Sequence, residues 1–208
     1  MIRVLLVDDQ HLIRAGLRML CDAQPDLEVV GEADNGREAI ALAARLLPDV
    51  VVMDLRMPGV DGITATSRIL AARPATRVLV LTTFGDDYHL YPALTAGACG
   101  FLLKDAPPAD LLDGVRRAAA GDSPFSPDVL RRLVQRAVHA RAGTPRPVHG
   151  LTTRERDVLD LVAEGLSNTE IADRLHIGVT TVKTHITSLM TKTNSPNRVR
   201  LALWARGA

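Results

Sequence analysis

The chain has 208 residues, of which 47% are hydrophobic and 3% aromatic, with 25 basic and 24 acidic side chains. This length fits one large domain or two modest ones, and so much apolar material with balanced charge argues against a disordered protein. Proline and glycine interrupt the longest uncharged stretch, residues 88–103, so no membrane-spanning helix is expected. Early acidic residues argue against a signal peptide, and two cysteines indicate no disulfide framework, which together predict a cytoplasmic protein.

The balanced total charge conceals two differently charged regions. Residues 1–120 carry 12 basic and 16 acidic side chains, whereas residues 150–208 carry 8 basic and 6 acidic ones. An acidic front and a basic tail are typical of separate tasks, with any polyanion bound at the C-terminal end. Three of the basic residues are lysines, Lys104, Lys183 and Lys192, and a compact ammonium serves where a guanidinium does not fit.

Residues 2–120 alternate between short apolar runs and amphipathic stretches, which predicts a parallel sheet covered by helices on both faces. The predicted strands are Ile2–Val7, Val29–Ala33, Val50–Met53, Val78–Leu81 and Gly100–Leu103. Between the strands, apolar side chains recur at helical spacing, as at Leu12, Leu17 and Leu20. Pro92 falls inside the fourth predicted helix and should shorten or kink it.

Polar side chains follow four of these strands. Asp8 and Asp9 come after the first strand, Asp54 after the third, Thr82 after the fourth and Lys104 after the fifth. Each alone has an ordinary explanation, such as capping the next helix, but in an open parallel sheet the ligand site lies at these carboxyl ends. Clustered carboxylates call for a cation, and a hard divalent ion with oxygen ligands suits them. Asp54, central in the sheet, is the best candidate for a nucleophile that accepts a phosphoryl group.

A turn-rich segment, residues 121–127, closes this domain, and a helix is expected from Asp128 to Arg141. Residues 142–150 then form a tether rich in proline and glycine, without periodicity. We therefore expect a first domain over 1–121, a linker over 122–149 and a second domain over 150–208.

The second domain is predicted to be a small bundle of four helices. Thr152 and Ser167 each begin an S/T-x-x-E capping box, which places two helix starts. A turn at residues 176–178 precedes a helix over Val179–Thr193, which is the order of a helix-turn-helix.

The helix Val179–Thr193 has two faces of opposite character. Its inward face carries Val182, Ile186 and Leu189 at helical spacing. Its outward face carries short hydroxyls and one ammonium, from Thr180, Lys183, Thr184, Thr187 and Thr191. Such a face can meet phosphates and base edges in the major groove of DNA.

These motifs resemble those of a known family. The segments Val7–Asp9, Met53–Gly62, Leu81–Thr83 and Gly97–Lys104 resemble the receiver domain of two-component response regulators. The segments Leu151–Arg156, Gly165–Asn168 and Thr181–His185 resemble the LuxR-type helix-turn-helix. The whole chain thus resembles the NarL/FixJ subfamily, which implies a flavodoxin-like, doubly wound receiver followed by a linker helix and a small all-α DNA-binding domain.

The resemblance implies that a sensor histidine kinase phosphorylates Asp54. It further implies that Mg²⁺ is bound by Asp9, Asp54 and the backbone carbonyl of Arg56, with Asp8 assisting through water. Lys104 would hold the phosphoryl group together with the hydroxyl of the residue that follows the fourth strand.

That hydroxyl belongs to Thr82, which in this family forms a switch with an aromatic residue of the fifth strand. The aromatic residue here is Phe101 where receivers often have tyrosine, so no phenolic hydrogen bond can report its rotation.

In the second domain the resemblance implies contacts with double-stranded promoter DNA. Lys183, Thr184 and Thr187 would face the bases, and Thr181 and Lys192 would reach the DNA backbone. Because so few positive charges gain little from counterion release, one copy should bind weakly, which predicts a homodimer on a pseudo-palindrome.

A last helix is predicted over Pro196–Ala205, with Ser195 as its N-cap and proline in its first turn. The resemblance implies that its apolar side, Val199, Leu203 and Trp204, is the dimer contact. Packing within the domain's own core is the open alternative for each of the three.

Other functions stay open from the residues alone, although we expect no enzyme. A Mg²⁺-dependent phosphatase with an aspartyl nucleophile normally has an acid two residues further on, where this chain has Arg56. A flavin-binding electron carrier is disfavoured by the few aromatic residues and by the acidic pair Asp8 and Asp9. A regulator that binds DNA without phosphorylation is a milder variant of the main hypothesis.

Overall fold

The computed structural model describes residues 1–83, 87–139 and 150–205. The chain divides into two compact units, Met1–Val129 and Leu130–Ala208, each with its own apolar core. Of the predicted tether at 142–150, only its last residue is among the described ones. Across the described ranges, no helix is long and apolar enough to span a bilayer.

Five parallel strands form the sheet of the first unit, in the order β2-β1-β3-β4-β5. The strands are β1 (Ile2–Val7), β2 (Leu27–Ala33), β3 (Val50–Met53), β4 (Arg77–Thr82) and β5 (Gly100–Leu103). This order confirms the predicted flavodoxin-like, doubly wound fold. β2 and β4 are longer than predicted because polar residues at their ends still pair with the neighbouring strand, as Glu28 does with Arg3 and Arg77 with Val50.

Five helices cover the two faces of this sheet. They are α1 (His11–Asp22), α2 (Gly36–Leu46), α3 (Gly62–Ala72), α4 (Asp87–Thr95) and α5 (Pro108–Ala120). Alternate strand residues face opposite sides, so Leu6 joins an apolar cluster with α1 and α5, whereas Leu5 joins another with α2 and α3. Burial on both faces explains why the strands are almost uniformly apolar.

Pro92 lies inside α4 without ending it. The helix continues to Thr95, and the N–H of Ala96 donates to the Pro92 carbonyl at 2.9 Å. Within the described residues α4 has 9 residues and is the shortest of the five helices. That Pro92 shortens it stays a prediction.

The two cysteines pack in the core beside α1 and α5. Burial raises the pKa of Cys21 to about 11 and that of Cys99 to about 12. Both thiols are therefore protonated at neutral pH and serve as small apolar side chains.

The segment Pro124–Ser126, called the edge segment below, lies along the free side of β5. Phe125 forms a parallel bridge with Phe101, and the Pro124 and Ser126 backbones both hydrogen-bond to Phe101. The first unit therefore extends to Val129, past the boundary expected at residue 121. Helix α6 (Pro127–His139) follows, and the predicted end of that helix at Arg141 lies outside the described residues.

After α6, most of which belongs to the second unit, the described residues of that unit form four helices: α7 (Thr153–Ala163), α8 (Asn168–Leu175), α9 (Val179–Thr193) and α10 (Arg198–Ala205). Both predicted capping boxes are present, from Thr152 with Glu155 and from Ser167 with Glu170. The bounds of α9 are those predicted. Its residues Val182, Ile186 and Leu189 are buried in the core of the unit, together with residues of α7, α8 and α10.

The predicted start of the last helix is wrong by two residues. α10 begins at Arg198, and the Asn197 side chain caps it by accepting from the Arg200 N–H at 2.8 Å. Ser195 is not the cap, because its hydroxyl accepts a hydrogen bond from Thr193 and its N–H donates to the Met190 carbonyl at the end of α9.

Candidate functional site

The carboxyl ends of β1, β3, β4 and β5 meet at one edge of the sheet. The last residues of β1 and β3 pair in register, so Asp8 and Asp54 leave the sheet side by side, and the Asp54 N–H donates to the Val7 carbonyl at 2.8 Å. The last residues of β4 and β5 also pair, and the Lys104 N–H donates to the Thr82 carbonyl at 2.9 Å. Strand register thus gathers residues that are far apart in the sequence.

Lys104 joins the two buried aspartates. Its Nζ lies 2.6 Å from Asp8 Oδ2 and 3.0 Å from Asp54 Oδ2, and the three side chains are 5%, 2% and 4% exposed. Burial raises the pKa of Asp8, although the hydrogen bond from Lys104 opposes this. Burial alone would lower the pKa of Lys104, but its hydrogen bonds to both carboxylates outweigh burial and raise it. The ammonium is therefore charged and held beside the predicted nucleophile.

Asp8, Asp9 and Asp54 each offer a carboxylate oxygen, and these oxygens lie within 4.8 Å of one another. Asp9 is exposed, whereas the other two are buried. Three carboxylates face one ammonium, so negative charge is left over for a divalent cation to compensate. An oxygen-only donor set of this kind fits Mg²⁺. Arg56 is exposed in the loop after β3, and its carbonyl as a further ligand stays a prediction.

Backbone amides fix the orientation of both buried carboxylates. Asp54 Oδ1 accepts from the Leu55 N–H at 2.8 Å, and Asp8 Oδ1 accepts from the Gln10 N–H at 2.9 Å. Gly62 brings the start of α3 against this loop, since a Cβ there would lie 2.0 Å from the Asp54 carbonyl oxygen. Position 62 therefore requires glycine for α3 to pack where it does.

Arg14 supports the pocket and was missed by the sequence prediction. Its guanidinium donates to the Asp8 carbonyl at 2.6 Å and to Glu32 Oε2 at 3.2 Å, which ties the loop after β1 to the end of β2. The available signal was a single arginine in the first turn of α1, which by spacing alone reads as a surface charge.

Phe101 and Thr82, the predicted switch pair, lie on adjacent strands and are completely buried. Phe101 pairs with Val80 of β4 on one side and with the edge segment on the other. Their role as a switch stays a prediction.

The outward face of α9 is exposed as predicted. Thr181, Lys183, Thr184 and Thr187 are all on the surface. The hydroxyls of Thr184 and Thr187 donate to the carbonyls four residues earlier, at 3.1 and 3.0 Å, and this leaves oxygen lone pairs facing solvent. The exposed side chains of this face are thus polar and mostly short, so the helix can approach the floor of a groove.

Lys192, predicted to reach the DNA backbone, is bound within its own unit. Its Nζ lies 2.7 Å from both Glu155 carboxylate oxygens and 3.3 Å from the Gly150 carbonyl. Glu155 also accepts from Thr152 and from the Ser188 hydroxyl, and these bonds, chiefly that from Lys192, lower its pKa to about 2. Any contact between Lys192 and a phosphate must compete with this ion pair.

Two family models match the chain in succession. The response regulator receiver domain matches residues 4–116, and the luxR family of bacterial regulatory proteins matches residues 149–205. The chain belongs to the NarL/LuxR family of two-component response regulators. It is a transcription regulator with a receiver and a LuxR-type DNA-binding domain.

Relatives of this response regulator align over nearly its whole length. The transcriptional regulatory protein LiaR of Bacillus subtilis is 42% identical over 99% of this chain and 97% of its own. The response regulator protein VraR of Staphylococcus aureus is 41% identical over 98% of this chain and 96% of its own. Such relatives are regulators rather than enzymes, which favours the main hypothesis over a phosphatase or a flavin carrier.

Solved response regulators share the architecture. The response regulator ChrA of a heme-sensing two-component system is 40% identical, with a TM-score of 0.54 over 99% of this chain and 96% of that one. The isolated receiver domain of RcsB from Salmonella enterica serovar Typhimurium, solved with the phosphomimetic BeF3-, is 28% identical, with a TM-score of 0.58 over 62% of this chain and 96% of that one.

Within the LuxR-type domain, the three predicted dimer residues of α10 lie in different surroundings. Trp204 packs against the unit's own apolar core, the alternative that the sequence left open. Val199 and Leu203 are half-buried one helical turn apart and, within the described residues, do not belong to that core cluster. The latter pair is thus the better placed to meet a second copy.

Proposed function

We propose that this response regulator is switched by phosphorylation of Asp54 by a sensor histidine kinase. The observation that carries the proposal is the buried Lys104 ammonium, which contacts both Asp8 and Asp54 at the carboxyl ends of β1 and β3. A charged donor fixed 3.0 Å from a carboxylate is placed to receive the phosphoryl oxygens once that carboxylate has reacted.

The transfer uses an oxygen of the Asp54 carboxylate as nucleophile. A lone pair of that oxygen forms the new O–P bond, the P–N bond of the kinase phosphohistidine breaks, and its electron pair returns to the imidazole nitrogen. The product is an acyl phosphate on Asp54, and the anionic phosphoryl oxygens take over the Lys104 hydrogen bonds. Thr82, whose carbonyl is bonded to the Lys104 amide, supplies a hydroxyl to the phosphoryl group.

Mg²⁺ would be held by Asp9, Asp54 and the Arg56 carbonyl, with Asp8 assisting through water. When bound, the ion neutralises charge on the phosphoryl group in transfer. The chain's own contribution is orientation, because amides of Gln10 and Leu55 hold two of the three carboxylates in place.

The output is binding to promoter DNA as a homodimer. Lys183, Thr184 and Thr187 of α9 face the bases. Thr181 reaches the DNA backbone, and Lys192 joins it there when it leaves Glu155. Val199, Leu203 and Trp204 of α10 form the dimer contact, in which the first two supply the exposed apolar area. The chain therefore acts in the cytoplasm, where both the kinase domain and the promoter are accessible.

An Asp54→Asn variant tests the proposal. The full chain is incubated with acetyl phosphate and Mg²⁺, and its mass, oligomeric state and salt-dependent affinity for promoter fragments are measured. We expect one phosphoryl group and tighter DNA binding by the wild type, and neither change in the variant. Asp49→Asn, which alters an aspartate before β3 and outside the pocket, is the matched control and should behave as wild type. Donor-stimulated binding that persists in Asp54→Asn would refute the assignment.

A further inference from the structure

The edge segment, Pro124–Ser126, contacts the strand that holds the predicted switch. The Phe101 N–H donates to the Pro124 carbonyl at 2.9 Å, and the Ser126 N–H donates to the Phe101 carbonyl at 3.1 Å. The Ser126 hydroxyl accepts from the Leu103 N–H at 3.0 Å. Both backbone polar groups of the switch residue and the amide just before Lys104 are thus bonded to residues that follow the sheet.

The contact is close enough to constrain the sequence of β5. A Cβ at Gly100 would lie 2.5 Å from the Pro124 carbonyl oxygen, a backbone atom that cannot move aside alone. Pro124 is buried and Ser126 is 7% exposed, so water does not replace these contacts. A shift of β5 therefore requires a shift of the edge segment.

The backbone at Lys104 and at the residue before it is hydrogen-bonded on both sides of β5. Its own N–H is bonded to the Thr82 carbonyl of β4, and the preceding amide, that of Leu103, is bonded to the Ser126 hydroxyl. We propose that Ser126 is a positioning residue for Lys104 and that the edge segment carries the state of the phosphoacceptor pocket to the start of α6. The inference rests on the proposed function of Asp54.

The edge segment is joined directly to α6 along the chain. α6 begins at Pro127, the residue after Ser126, and Val129 in its first turn is only 1% exposed. Since the chain continues from α6 toward the DNA-binding domain, a change at the edge segment reaches the linker without needing a contact between the units. Coupling between the pocket and the edge segment acts in both directions, so a change at Ser126 should alter binding at Asp54.

The test uses beryllofluoride with Mg²⁺ as the probe for the full chain, with affinity measured by ¹⁹F NMR. Ser126→Ala should weaken binding by about fivefold or more, the lower end of typical couplings, and Ser126→Thr should restore it because the hydroxyl is kept. Ser123→Ala is the matched control: its hydroxyl is also buried but, within the described residues, has no hydrogen-bond partner. This variant should bind as wild type.

Amide hydrogen exchange gives an independent measurement on the wild type. Loading with beryllofluoride should change the exchange rates of the Phe101, Leu103 and Ser126 amides, and Ser126→Ala should speed exchange at Leu103. Unchanged exchange at all three amides, wild-type affinity in Ser126→Ala, or an equal loss in Ser123→Ala would each overturn the inference. Failure of the proposed function has a different signature, namely no binding by wild type or retained binding by Asp54→Asn.

Discussion

Two lysine–carboxylate contacts, one in each unit, use the same chemistry for different ends. Lys104 is 5% exposed and lies between the carboxylates of Asp8 and Asp54, which come from different strands. Lys192 is 39% exposed, and Glu155 is the one carboxylate that it contacts among the described residues, beside the Gly150 carbonyl. The first ammonium is outnumbered by acids, whereas the second is matched one to one.

The difference lies in unused acceptor capacity. In the second unit both Glu155 oxygens accept hydrogen bonds, from Thr152, Ser188 and Lys192. The carboxylate therefore links α7 to α9 and has its acceptor capacity in use. In the pocket of the first unit three carboxylates face one ammonium, so further positive charge stabilises it. A site for ligands is thus distinguished from a structural ion pair by its charge balance rather than by the residues that form it.

The largest effect that this comparison predicts is for Lys104→Met. Removing one partner of a buried ion pair leaves unpaired carboxylates, so the free energy of unfolding without metal should fall by about 3 kcal/mol. Added Mg²⁺ should raise the free energy of unfolding more in the variant than in the wild type. Urea unfolding followed by circular dichroism measures this, and Lys183→Met, at an exposed site, should change it by less than about 0.5 kcal/mol. Equal losses in both variants would contradict the comparison.

Glu155→Ala should have the next largest effect. The substitution removes hydrogen bonds to a charged group and leaves the Lys192 ammonium without its carboxylate. The free energy of unfolding of the second unit should therefore fall by about 2 kcal/mol. Trp204, the only tryptophan of the chain, packs on the core of this unit, so its fluorescence follows the unfolding. Glu164→Ala, at the end of α7, is the control. A wild-type midpoint in the Trp204-detected unfolding of Glu155→Ala would contradict this prediction.

Acid should weaken the second unit through the same carboxylate. The pKa of Glu155 is about 2 in the fold against an ordinary 4.5, so its contribution is fully present above pH 4.5 and is lost as the pH falls toward 2. Glu155→Gln should flatten the pH dependence of Trp204-detected stability in that range. A variant as acid-sensitive as the wild type would show that other groups dominate.

The smallest predicted effect concerns DNA. Lys183→Ala should lower the slope of log affinity against log salt by about one. The double variant Glu155→Gln with Lys192→Gln removes opposite charges together, so it should leave the slope unchanged if the ion pair persists on DNA. A drop of about one in the double variant is the expected result, because the proposed function has Lys192 leave Glu155 for a phosphate.

Much of the fold and of the pocket follows from sequence pattern. Apolar runs locate the strands, and a parallel sheet places their carboxyl ends together, so Asp8, Asp54, Thr82 and Lys104 could be grouped before any coordinates. The α9 face follows from helical spacing alone. These predictions succeed because each depends on a period or an order along the chain.

Features that depend on tertiary contacts could not be predicted in this way. Ser195 and Pro196 have the residue types of a helix start, but the end of α9 uses the Ser195 backbone and hydroxyl, and Asn197 caps α10 instead. The edge segment begins with Pro124, is followed by Pro127 and has no periodicity, so the sequence predicts a turn there. Arg14 supports the pocket by donating to the Asp8 backbone carbonyl, and such a bond cannot be predicted from residue types because every residue has a carbonyl.

The edge segment has one more consequence, for the behaviour of the protein at high concentration. An outermost strand normally exposes a row of unpaired amides and carbonyls that can recruit a strand from another molecule, a common route to aggregation. Here the N–H and the carbonyl of Phe101 are both bonded to the edge segment, which begins with Pro124 and is followed by Pro127. Substitutions that loosen Pro124 or Ser126 should therefore favour intermolecular sheet extension even where they leave the phosphoacceptor chemistry intact.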